Sequence, residues 1–247
     1  MFSIIEPGLI ENEYAPGWMD SLMHLIFPER CLLCRTFFYP ASGLPLCHSC
    51  SKNFAAIGQI CPQCERMPCG APECTCRRAS QPLRGLFALS WYGGQFRQLL
   101  HDLKFKKKRF LARPLGRWLG MAVMQQNIWS PNVIVPIPMH KQREIERGFN
   151  QSFLIANYAA QVLKCPVVAM LEKRRPTSAQ TGISRQERFE NIRGAFDCSS
   201  KPPEGTRVLL IDDIYTTGAT MKEAAAVLQN SGAKVHGAVI AYNLRAY

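Results

Sequence analysis

No stretch of the chain approaches the roughly 20 consecutive apolar residues that span a bilayer, and the N-terminus, MFSIIEPGLIENEYAPGW, has no basic segment leading into a long apolar one. A membrane span and a secretory leader are both unexpected, and the chain reads as cytoplasmic, where thiols stay reduced. Acidic residues are scarce: 18 Asp and Glu stand against 30 Lys and Arg in 247 residues. Cysteine is almost missing beyond residue 76, where only Cys165 and Cys198 occur. No G-x-x-x-x-G-K-[ST] is present, so a P-loop NTPase is excluded. At 47% apolar, the chain nevertheless has ample material for a packed core.

What is present is unevenly distributed. Nine of the 11 cysteines fall between Cys31 and Cys76. Residues 84–140 carry nine basic side chains against Asp102 alone, a net charge of +8, whereas residues 1–30 carry −4. A positive field centred mid-chain points to phosphate-bearing ligands. The texture predicts an N-terminal lead-in with a short helix over 1–30, a cysteine-rich metal module over 31–80 and an α/β domain over 84–247.

Cys31-Leu-Leu-Cys34 and Cys47-His-Ser-Cys50 are two C-x-x-C pairs about a dozen residues apart, the spacing of a zinc ribbon. Two residues between thiolates let one tight turn aim both sulfurs at a single ion, and two such turns complete a tetrahedron. Cys61 and Cys64 begin a second set, followed by Cys69, Cys74 and Cys76. Cys74 and Cys76 are taken as its closing pair because Cys69 adjoins Gly70, Ala71 and Pro72 in a connecting loop; Cys69 stays as a substitute for either. His48 reads as a surface residue. About 50 residues with few large aliphatics bury little core, so two zinc ions would supply folding free energy, with every coordination position filled.

Beyond Cys76 strands and helices alternate. Phe87–Tyr92, Val133–Ile137, Val167–Leu171, Arg207–Ile211 and Val235–Tyr242 read as strands, and Gln151–Leu163 and Met221–Asn230 as helices. Phe96, Leu99, Leu100 and Leu103 recur at helical spacing. The succession predicts a parallel sheet flanked by helices.

The most informative segment is Val208-Leu-Leu-Ile-Asp-Asp-Ile-Tyr-Thr-Thr-Gly-Ala-Thr220. A buried strand ends on Asp212 and Asp213, and a hydroxyl-rich loop containing Gly218 leads into a helix. The amides and hydroxyls of Thr216, Thr217, Gly218, Ala219 and Thr220 would cradle a phosphate at the helix N-terminus. The carboxylates would accept from two neighbouring sugar hydroxyls. Thr220 and Glu223 have the spacing of a capping box. Lys104-Phe-Lys-Lys-Lys-Arg-Phe110 places five charges, on Lys104, Lys106, Lys107, Lys108 and Arg109, around Phe105 and Phe110. Single-strand binders pair such a track with stacking rings.

Residues 208–220 resemble the phosphoribosyl pyrophosphate (PRPP) signature of type I phosphoribosyltransferases. With Leu-Lys-Phe-Lys at 103–106, Val-Pro-Ile-Pro-Met-His at 135–140, Arg147-Gly-Phe-Asn-Gln151, residues 177–196, the cysteine ribbons and Leu-Ile-Phe-Pro at 25–28, the chain resembles the ComF family of competence proteins over about residues 18–245. The resemblance implies a type I phosphoribosyltransferase fold with a zinc-ribbon module, and it implies binding of PRPP with Mg²⁺ and of single-stranded DNA during natural transformation, beside other DNA-uptake proteins. It assigns Asp212 and Asp213 to the ribose hydroxyls and 216–220 to the 5-phosphate. His140, Lys141, Arg143 and Arg147, at the start of the following helix, would meet pyrophosphate. Residues 174–188, with Arg174, Arg175 and Arg185, resemble the lid that closes over PRPP. Tyr215 occupies the position where several base-using members carry an acid. The other function consistent with the resemblance is an active phosphoribosyltransferase of nucleotide metabolism, transferring ribose 5-phosphate to a base or amine.

Overall fold

The computed structural model describes residues 29–38, 45–54, 56–65, 76, 81–126, 130–176 and 185–243. The chain divides into two compact units, one within residues 6–55 and one within 56–247. In the smaller, β1 (Glu29–Arg30) and β2 (Phe37–Phe38) form an antiparallel pair around the first C-x-x-C, and helix α1 (His48–Asn53) carries the end of the second. Cys31, Leu32 and Leu46 are its buried apolar residues among those described.

The larger unit begins with β3 (Gly58–Ile60), which pairs antiparallel with β4 (Leu83–Trp91). That pairing brings Cys61 and Cys64 into the same unit as the sheet. Helix α2 (Gly94–Phe105) and, after a short 3₁₀ turn, α3 (Ala112–Gln125) lead to β5 (Val133–Pro136). Then come α4 (Lys141–Arg147), α5 (Gln151–Leu163) and β6 (Leu171–Lys173). The chain continues through α6 (Arg185–Ile192), β7 (Phe196–Cys198), β8 (Arg207–Tyr215), α7 (Ala219–Asn230) and β9 (Lys234–Tyr242).

The sheet runs β3-β4-β9-β8-β5, parallel throughout except at the β3 edge. Its central strands are continuous apolar runs because both faces are covered. Helices α3 and α5 lie on one face, and α7 on the other. Val208, Leu210, Val235 and Val239 join Ala224 and Leu228 of α7 in one core. On the opposite side Gly116 admits α5 closely: a Cβ there would stand 2.5 Å from the Ile155 carbonyl oxygen. Phe96 is buried as its helical spacing predicts and packs on Trp118.

Two local expectations change. The strand expected at Val167–Leu171 is a single parallel bridge from Val167 to Ile134, after which Leu171–Lys173 turns into an antiparallel hairpin with β7. The apolar run continues there, but its hydrogen-bond partner is another strand. Strand β8 also runs on through Asp212 and Asp213 to Tyr215, because β9 keeps pairing beside it to Tyr242. Strand β5 stops pairing at Pro136, opposite Ile211. Beyond that point β8 has a sheet neighbour on one side alone, which leaves a notch at the acidic pair.

Candidate functional site

The notch is built largely by Arg147-Gly-Phe-Asn-Gln151. Asn150 caps α5, its side-chain oxygen accepting from the amides of Ser152 (3.0 Å) and Phe153 (3.4 Å), while its amide donates to the Ile137 carbonyl (3.0 Å). This ties α5 to the end of β5 and places Ser152 beneath the acidic pair. The Ser152 hydroxyl donates to Asp212 Oδ1 at 2.8 Å, and the Asp213 amide donates to the same oxygen at 2.9 Å. Asp213 Oδ2 is ion-paired with the ammonium of Lys104, which reaches in from α2.

The two carboxyls therefore differ. Burial pushes Asp212 up to about 7, and the Asp213 charge adds to the rise. Burial works against Asp213 as well, but the Lys104 ammonium holds it below the usual carboxylate range. Lys173, at the end of β6, is drawn down to about 8 by burial and by the charge of Arg143, with Asp212 opposing. Burial lowers Arg147 too, against the pull of Asp213. The Asp212 shift has a sign that can be tested. Its folded value exceeds the ordinary carboxyl value, so its contribution to stability is complete below about 3.8 and is lost as pH rises through about 7. Asp212→Asn, neutral at every pH, should gain stability over the parent progressively between about pH 4 and 7 in thermal melts and level off above; a difference constant across that window would rule the shift out.

The loop after the pair matches its expected shape but not its expected cap. Helix α7 starts at Ala219 with Gly218 as its N-terminal flank at φ 78°. Thr220 and Glu223 form no capping box: Glu223 instead accepts from the Gly194 amide at 2.6 Å. A left-handed glycine has already set the helix start, ahead of the position the box requires. Thr217 is buried, its hydroxyl accepting weakly from the Ala219 amide at 3.4 Å. A Cβ on Gly218 would lie 2.1 Å from the Tyr215 hydroxyl, so the loop backbone rests directly on that side chain. Tyr215 is buried and stacked on Tyr242, at 5.5 Å between ring centroids.

The other candidates separate. His140 ends the loop after β5, as expected, in extended conformation, whereas Lys141 and Arg143 lie within α4 rather than in that loop. Arg147 ends α4 and does not start the following helix; Gly148 breaks the chain direction there at φ 83°. The Arg147 guanidinium donates to Gln151 at 2.6 Å and lies over the Phe105 ring at 5.7 Å. Arg174 pairs with Asp197, and Arg175 donates to the Arg193 carbonyl, so both engage the segment at β7. Residues 177–184 of the lid and the Arg185 side chain lie outside the described residues.

The basic belt is likewise divided. Lys104 belongs to the acidic notch. Lys106 and Lys108 converge on buried Asp102, at 3.1 and 2.7 Å, and Arg109 donates to the Gly148 carbonyl and covers Phe149. Lys107 is exposed, and the Phe105 and Phe110 rings are 65% and 68% exposed.

The cysteines form two sets. The sulfurs of Cys31, Cys34, Cys47 and Cys50 all lie within 4.8 Å of one another, as do those of Cys61, Cys64 and Cys76. Cys34 and Cys47 are 3.6 Å apart, close to the edge of about 3.8 Å of a tetrahedron with Zn–S near 2.3 Å. The first knuckle closes by the Arg35 amide donating to the Cys31 carbonyl with Arg35 at φ 65°; the second repeats this with Glu65 and Cys61 at φ 58°. Burial and the neighbouring thiols push Cys50 up to about 12, so packed thiolates need a cation to offset their charge. Both sets can hold a metal ion. Cys69 and Cys74 lie outside the described residues. His48 is exposed, as expected.

Sequence reasoning missed Ser152, Asn150 and Lys173. Their signals were faint: one hydroxyl past a cap, and one lysine among many.

A phosphoribosyl transferase domain model matches residues 150–247. DNA utilization protein YhgH of Salmonella typhi is 32% identical over 217 residues, covering 85% of this chain and 94% of that protein. The chain belongs to the ComF family. Two further members are Competence protein F of Haemophilus influenzae, 28% identical over 83% of this chain and 93% of its own, and Competence protein ComFC of Bacillus subtilis, 28% identical over 82% and 89%. Adenine phosphoribosyltransferase from Leishmania tarentolae aligns with a TM-score of 0.38 at 13% identity, over 64% of this chain and 92% of that one. This ComF chain carries a phosphoribosyltransferase fold together with two cysteine sets. Among the described residues no helix is long and apolar enough to cross a membrane.

Proposed function

We propose that this ComF chain binds PRPP with Mg²⁺ in the notch at Asp212 and Asp213, binds single-stranded DNA along the belt at residues 104–110, and acts in DNA uptake during natural transformation. The observation that carries the reading is the continuity of the notch: an acidic pair on a strand that has outrun its neighbour, then a left-handed glycine, then a helix N-terminus. Ligands of open α/β sheets bind at such strand ends. The names of the relatives supply the DNA role.

Zinc in the cysteine sets would be structural, with no open coordination position at the first. Mg²⁺ would come with the pyrophosphate, neutralising its charge. The acidic pair orients the ribose and the amides of 216–220 hold the 5-phosphate. Arg143, Arg147 and Lys173 supply positive charge on the pyrophosphate side. Tyr215 faces the core and offers the loop no acid to serve an incoming base. That favours binding over turnover. The second reading, an active phosphoribosyltransferase, is favoured by Lys173, whose lowered value beside Asp212 suits a proton acceptor.

Calorimetry with PRPP and Mg²⁺ should show binding by the parent and none by Asp212→Asn with Asp213→Asn; equal affinities would refute the notch as the site. Pyrophosphate release over a panel of bases and amines separates binding from turnover. For DNA, Phe105→Ala and Phe110→Ala should each lower oligonucleotide affinity by about 1–3 kcal/mol at unchanged salt slope. Neutralising Lys106, Lys107, Lys108 and Arg109 should instead flatten log affinity against log salt by about 0.7 for each phosphate that the belt ceases to neutralise. A belt whose neutralisation moves neither quantity is an ordinary solvated face.

A further inference from the structure

The second cysteine knuckle is physically joined to the Gly218 loop. Its turn closes through the Glu65 amide on the Cys61 carbonyl (2.8 Å), which fixes the Glu65 backbone in the left-handed region. The Glu65 carboxylate then accepts from the Tyr242 hydroxyl at 3.0 Å, across 177 residues of sequence. Tyr242, at the end of β9, stacks on Tyr215 at an interplanar angle of 18°. Tyr215 ends β8, and its hydroxyl is the surface on which Gly218 rests. Both tyrosines are almost fully buried, Tyr242 at 1% and Tyr215 at 2% exposure, so neither ring can swing aside without opening the core.

We infer that Glu65 and Tyr242 are positioning residues for the 216–220 loop, and that the Cys61 set, when it holds a metal, clamps the knuckle that anchors them. This explains why a tyrosine stands at 215, where relatives of the fold that act on bases carry an acid: its ring carries support from the knuckle to the loop and does not face the ligand. Burial of a carboxylate acceptor against a phenol is a charge-assisted bond, strong enough to shift a local opening equilibrium by about tenfold. The Tyr242 ring transmits it because stacked rings in a dense core move together. The inference rests on the reading of 216–220 as an anion cradle, and its test is chosen to stand apart from that reading.

Hydrogen–deuterium exchange reads the loop without any ligand. Tyr242→Phe keeps the ring and removes the hydroxyl; Glu65→Ala removes the acceptor; Glu65→Gln keeps one. Exchange of peptides spanning 216–220 should rise about tenfold in the first two and by less in Glu65→Gln, whose neutral acceptor keeps a weaker bond. Cys64→Ser should raise it as well, whereas Cys34→Ser, a ligand position of the first set, should not. Affinity for ribose 5-phosphate should fall in parallel in Tyr242→Phe and Glu65→Ala. If the parent binds no ribose 5-phosphate, the anion-cradle reading fails while the exchange data still decide the coupling. Loop exchange unmoved in both Tyr242→Phe and Glu65→Ala would overturn the inference. So would an equal rise along β8 at 207–211, because the whole sheet would then be loosening.

Discussion

Gly218→Ala should cost the notch the phosphate-bearing ligand proposed for it. The left-handed conformation of residue 218 disfavours any side chain by about 1–2 kcal/mol, and the added Cβ would fall 2.1 Å from the Tyr215 hydroxyl. Tyr215 cannot yield, because its ring is packed on Tyr242. The loop must therefore shift, and amides aimed at one anion lose their common focus. PRPP affinity by calorimetry should fall by well over tenfold, while the rest of the domain still melts cooperatively, since the strands before Tyr215 are untouched. A variant that binds as the parent does would mean that the phosphate sits elsewhere.

Removing metal from the first cysteine set should have an equally large effect, confined to the smaller unit. Among its described residues that unit buries few apolar side chains, with Cys31, Leu32 and Leu46 below a tenth exposed. A core of this size does not offset the entropy of ordering its chain, and structural zinc contributes about 10–16 kcal/mol in such modules. Cys31→Ser should make residues 31–54 protease-sensitive and leave the sheet unit folded. Metal analysis of the parent should return close to two zinc equivalents, one for each sulfur cluster. One equivalent would mean that the Cys61 set is incomplete, and disulfides by mass spectrometry would reverse the assignment for both.

Much of the site was legible because its chemistry is local. A C-x-x-C needs only one turn to aim two sulfurs, and the knuckles at Cys31 and Cys61 have that turn. The run from Val208 to Thr220 encodes strand, acidic pair, left-handed glycine and helix in consecutive residues, and the structure keeps that order. Phe96 followed its helical period into the core. Rules of short range sufficed wherever partners lie within a few residues of each other.

Tertiary structure decided which side chains those elements meet. Lys104 reads as part of a nucleic-acid track, yet its ammonium pairs with Asp213, more than 100 residues further along the chain. Lys106 and Lys108 belong to the same run but have different employment, since Asp102 lies beneath them. Thr220 and Glu223 have capping spacing, but Gly218 has already turned the chain and the Gly194 amide engages Glu223. By itself the sequence determined two cysteine knuckles able to hold metal and a strand, acidic pair, glycine loop and helix in that order. That Tyr215 faces inward, that Tyr242 bonds Glu65 and that Ser152 underlies Asp212 followed only from packing, because side chains far apart in sequence become neighbours when strands and helices bury their apolar faces together.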